Sequence, residues 1–146
     1  WGMNVAVANA ELGQVETGLD ILNELIAGTA QSGQHWLDAE LYRVRGRLLS
    51  RHGFADDSSA EDALARALEI ARHQQTRTFE LRSALELARL HKTNGRADEI
   101  FRVLDPVLAE FEAERNLPEL VEARELLTQA DEARDASPGR ASWGRE

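Results

Sequence analysis

Ala88-Arg89-Leu90-His91-Lys92-Thr93-Asn94-Gly95-Arg96-Ala97-Asp98-Glu99-Ile100 is the stretch on which the fold turns. A small residue, Ala88, stands seven positions before Gly95, and an aliphatic one, Ile100, stands five after it. Glycine just past a helix end takes the left-handed conformation that lets the chain reverse. A small residue one or two turns earlier lets a neighbouring helix come close. The arrangement recurs. Leu12-Gly13-Gln14 and His52-Gly53-Phe54 stand 40 and 42 residues apart from their successors, with Ala6 and Gly46 seven positions ahead of the glycine.

Working outward, the segments after each glycine align. Gly18, Leu22 and Leu25 match Ala63, Ala67 and Ile70, and these match Ile100, Leu104 and Val107. Spacings of four and three put each trio on one helical face. The middle unit carries five extra residues, Ala55-Asp56-Asp57-Ser58-Ser59, which read as a longer turn. Ser58 followed by Glu61 predicts a capping box. The pattern predicts seven helices, near 1–12, 15–31, 35–52, 59–74, 77–93, 96–115 and 117–133. Asn116 is the expected cap of the last, with Pro118 in its first turn. Pro106 lies inside the sixth, which predicts a kink or an early break near Asp105.

Composition agrees. Hydrophobic residues make up 42% and aromatics only 5%, so a core must be built mainly from Ala and Leu, which favour helices. The expectation is an all-α protein, an α-α superhelix of three antiparallel helix pairs (1–34, 35–75, 76–115) with a capping helix at 117–133. The segment 134–146 has no periodicity and is expected to be a disordered tail or linker.

A small residue, then Gly seven on, then a small residue five further resembles the tetratricopeptide repeat over about residues 1–114. The period of 40–42 exceeds the usual ~34 of that family, and its frequent proline after the second helix is absent. The runs Ala39-Glu40-Leu41-Tyr42-Arg43-Val44-Arg45-Gly46-Arg47-Leu48-Leu49, Ala67-Leu68-Glu69-Ile70-Ala71-Arg72, Glu80-Leu81-Arg82-Ser83-Ala84 and Leu104-Asp105-Pro106-Val107-Leu108 are similar to a narrower type. It is the C-terminal repeat region of large bacterial signalling proteins that join a class III nucleotide cyclase, or another output domain, to an AAA-type ATPase. The resemblance implies a regulatory interaction region, with a protein partner or other domains of a parent chain as ligands. The start at Trp1 fits a piece of a longer protein.

Several function classes are disfavoured. The net charge of −9 repels nucleic acid and anionic membranes. There is no cysteine, which removes thiolate catalysis and fits a cytoplasmic protein. No apolar run approaches the roughly 20 residues of a membrane span. No phosphate-binding loop, G-x-G-x-x-G or G-x-S-x-G occurs. His35, His52, His73 and His91 never pair at i+3 or i+4, so neither a metal site nor a catalytic or cofactor site is expected. Glu110, Glu112, Glu114, Glu119, Glu122 and Glu125 read as a solvated surface.

One constellation points to binding. In stacked helix pairs the first helices line the concave face. Arg43, Arg47 and Arg51 recur every four residues along one first helix, and Arg82, Arg89 and Lys92 recur at seven and three along the next. Such a stripe would attract an acidic peptide, or a small acidic ligand if the module is a sensor. The competing reading is that these cations pair with neighbouring acids, as Glu86 with Arg82 or Arg89. Trp36, Leu37 and Phe79 are expected in the core, and Tyr42 at the contact within a pair. Met3 and Val5-Ala6-Val7-Ala8 suggest a sticky edge, through which a homodimer is expected.

Overall fold

The computed structural model describes residues 1–53, 57–111 and 116–137. Seven helices follow one another: α1 Gly2–Glu11, α2 Val15–Ser32, α3 Asp38–His52, α4 Asp57–His73, α5 Arg77–Thr93, α6 Ala97–Ala109 and α7 Pro118–Asp135. Among the described residues there is no strand, and the protein is all-α.

The three glycines of the repeat are all left-handed, with φ of 84° at Gly13, 60° at Gly53 and 68° at Gly95. Around Gly13 and Gly95 the backbone closes the helix in the paired way of a Schellman motif. Gly13 N–H donates to Ala10 and Gln14 N–H to Asn9, while Gly95 N–H donates to Lys92 and Arg96 N–H to His91. The turn between α4 and α5 uses the same two bonds, Gln75 to Arg72 and Thr76 to Ala71, but with a glutamine at φ 56°.

The chain divides into two compact units, Trp1–Glu86 and Leu87–Glu146, with the division inside α5. In the first unit α1 packs on α2, α3 packs on α4, and α3 also touches both α1 and α2. Ala6, Ala10, Val15, Leu22, Leu41, Val44 and Leu48 form one buried cluster drawn from these three helices. In the second unit α6 packs on α7. Ile100, Leu104 and Val107 of α6 and Leu120, Ala123, Leu126 and Ala130 of α7 are buried there.

Small residues mark the crossings. A Cβ added at Gly18 of α2 would lie 2.6 Å from the Ala6 carbonyl oxygen of α1. One added at Gly46 of α3 would lie 2.6 Å from Leu64 Cγ of α4 and 3.2 Å from the Ala60 carbonyl oxygen. Ala88 of α5 is fully buried.

Several boundaries differ from expectation. Ser58 lies within α4 rather than before it; residues 54–56 of the expected turn lie outside the described residues. The N-cap of α7 is Leu117, not Asn116, with extended φ −69° and ψ 131° and Pro118 at the first helical position. The residue before a proline is driven out of the helical region, which fixes the start there. Helix α6 does not break at Asp105 but continues through Pro106 to Ala109. It then tightens into i→i−3 bonds from Glu110 to Val107 and from Phe111 to Leu108; residues 112–115 of the expected helix lie outside the described ones. The expected tail starts too early. Helix α7 runs to Asp135, and Arg134 reaches back to α6, with Nε 3.1 Å from Asp98 and its guanidinium 4.9 Å from the Phe101 ring centre. Residues 138–146 lie outside the described ones. Trp36 is 66% exposed rather than in the core. Helix α3 begins only at Asp38, so Trp36 sits in the preceding turn, off the buried face. Phe79 and Tyr42 are half-buried.

Candidate interaction surface

Helix α3 carries Arg43, Arg45, Arg47 and Arg51, and a helix displays charge cheaply on a face its neighbours leave open, as at Arg51. Arg43 is almost buried, and its surroundings neutralise it. Its Nε donates to Glu40 Oε1 at 3.0 Å and its Nη2 to Glu40 Oε2 at 2.8 Å, a bidentate pair one turn apart. Its Nη1 reaches Glu86 Oε1 of α5 at 3.4 Å. Both carboxylates are buried, Glu40 at 5% and Glu86 at 8% exposure. Taking two carboxylates out of water is unfavourable unless a cation shares the site, which is what Arg43 supplies.

Arg47 is different. It is half-exposed, and its Nε stands 3.8 Å from Glu86 Oε1, beyond hydrogen-bonding distance. Arg51, in the last turn, is exposed and forms no ion pair with another described residue. Arg45 donates from Nε to Asn23 Oδ1 of α2 at 3.0 Å. Arg82, in the first half of α5, is half-buried and engaged within the protein.

In the second unit, Arg89 of α5 holds Glu122 of α7 bidentately, Nε to Oε1 at 2.7 Å and Nη2 to Oε2 at 2.6 Å. The hydrogen bond from Arg89 holds the Glu122 carboxyl below the usual carboxylate range, against a smaller opposing effect of burial. Lys92 is exposed on the last turn of α5.

Of the six cations of the stripe, Arg82 is half-buried and engaged, and the other five fall into two kinds. Arg43 and Arg89 tie helices together. Arg47, Arg51 and Lys92 present charge to solvent. The i,i−3 pairing of Arg43 with Glu40 is legible in the sequence. The pairing of Arg43 with Glu86, 43 residues on, and of Arg89 with Glu122, 33 residues on, is not.

His91, near the end of α5, is buried at 2% exposure, a location that its place in the sequence does not reveal. Among the described residues no group of three or more His, Asp or Glu side chains is placed to hold a metal ion. No described helix is long and apolar enough to cross a membrane. Comparison with protein-family models, with curated proteins and with solved structures gives no match.

Proposed function

We propose that the chain is an interaction scaffold of stacked helix pairs on the tetratricopeptide plan, with a protein or peptide ligand. One observation carries this reading: α3 rests on both helices of the preceding pair while closing its own pair with α4. A pair that buries its second face only against the next pair is the unit of a helical repeat. The sequence resemblance to repeat regions of bacterial cyclase–ATPase signalling proteins supports a regulatory place in a larger cytoplasmic chain. The acidic body supports a protein ligand over nucleic acid.

Within this reading, the exposed cations of α3 favour an acidic ligand. The guanidinium of Arg47 is half-exposed and too far from Glu86 for a hydrogen bond, so it retains donors for a carboxylate. Arg51 stands one turn further on. A small acidic metabolite would use the same donors, and this is the second reading. The test titrates an Asp/Glu-rich peptide, a neutral peptide of equal length and a dicarboxylate into wild type and into Arg47→Gln with Arg51→Glu. The scaffold reading expects the acidic peptide to bind and the double variant to weaken it at least tenfold with its circular dichroism unchanged, about 1.4 kcal/mol. Equal binding of wild type and variant removes α3 as the ligand surface.

A further inference from the structure

The outer face of α1 carries an apolar stripe that no other described residue covers. Ala6 and Ala10 are buried against α2 and α3. On the helical wheel the other side holds Val5 and Ala8, continued by the N-cap Trp1 and the C-cap Leu12, the four spaced four, three and four residues apart. That is the a/d spacing of a helix–helix seam. Trp1 is 99% exposed and Leu12 80%, Ala8 is exposed and Val5 half-buried. Four apolar residues in seam register, with the two largest almost fully in water, are unusual for a helix that only has to pack inward.

The charge of the first helix pair is one-sided. All 17 lysines and arginines of the chain lie beyond residue 34. The first helix pair holds Glu11, Glu16, Asp20 and Glu24, every one of them exposed. Glu11 flanks the stripe directly, one residue before Leu12.

We propose that the outer face of α1 docks an amphipathic helix of a protein partner whose apolar stripe is flanked by lysine or arginine. The apolar seam supplies burial, and the carboxylates select the sign of the flanking charge. A second copy docking through its own first helix pair would bring four more carboxylates and no lysine or arginine, which disfavours a homodimer through this face. This goes beyond the scaffold reading above, since it uses a different face and the opposite ligand charge. The acidic-peptide titration and the following test therefore fail separately.

The probe is a synthetic helix of about 18 residues, long enough to span α1, with Leu at its a and d positions and Lys at the flanks. A matched peptide carries Glu at the flanks, and calorimetry with the full chain reads the affinity of both. The Lys-flanked peptide should bind at least about tenfold more tightly than the Glu-flanked one, an advantage that shrinks as salt rises. Ala8→Glu with Leu12→Glu, both at exposed positions, should abolish binding while the helical signal stays intact. Four results overturn the proposal. They are no binding of the Lys-flanked peptide, equal binding of both peptides, undiminished binding by the double variant, and self-association of the wild type that Leu12→Glu abolishes.

Discussion

Replacing Gly18 with alanine sets two opposing effects against each other inside one helix. Alanine in a helix interior is favoured over glycine by about 1 kcal/mol. At Gly18, however, the new methyl carbon would stand 2.6 Å from the Ala6 carbonyl oxygen and 3.5 Å from Ala10 Cβ. A carbon and a carbonyl oxygen in ordinary contact stand at about 3.3 Å or more. The crossing of α1 and α2 must therefore open by roughly 0.7 Å, in an interior with crystal-like packing. Ala6 and Ala10 are themselves buried, so there is no flexible side chain to swing away. Forcing a methyl group into such a place costs typically about 1–3 kcal/mol. The clash equals or outweighs the gain, and the variant should lose up to about 2 kcal/mol after the helix-propensity gain is subtracted.

Gly28 provides the internal control. It lies in the same helix, and a Cβ there would meet no heavy atom within 4 Å. Gly28→Ala should keep the whole gain of about 1 kcal/mol. Two identical substitutions ten residues apart in α2 are thus expected to differ by about 1–3 kcal/mol, the cost of the clash, with Gly18→Ala the less stable. Urea denaturation of both variants and the wild type at one pH reads the difference as a midpoint raised above wild type for Gly28→Ala and not raised for Gly18→Ala. If Gly18→Ala is as stable as Gly28→Ala, the close crossing of α1 and α2 is wrong, and with it the role of glycine in this repeat.

Three further outcomes follow from single residues. Gln75→Gly should raise stability by about 1 kcal/mol, because glutamine at φ 56° bears the left-handed penalty that glycine escapes; a thermal melt reads it as an upward shift. Arg43→Met should cost about 3 kcal/mol, since Glu40 and Glu86 are then buried without their main cation, and adding Glu40→Gln and Glu86→Gln should restore much of the loss. For Glu122 the folded carboxyl titrates below its ordinary value, near 4.5, so its pair with Arg89 adds stability above that pH and loses it as the pH falls below. Glu122→Gln should therefore flatten the loss of urea midpoint between neutral pH and pH values under 4.5, and an unchanged slope would refute the assignment.

The sequence by itself determined the helices and where the chain turns. The three repeat glycines are left-handed because no other residue takes that conformation without penalty, and such a preference acts within a few residues. Gly18 and Leu22, Ala63 and Ala67, and Ile100 and Leu104 are all buried, as a 3.6-residue period requires. Tertiary structure alone decided which charges are spent. Arg43 and Arg47 look equivalent in sequence, yet one is enclosed by Glu40 and Glu86 while the other faces solvent. It also left Trp36 in water, two residues ahead of the helix that was to bury it. Periodicity states which residues share a face of one helix. Which face meets which neighbour depends on contacts tens of residues apart, and only the packed chain fixes those.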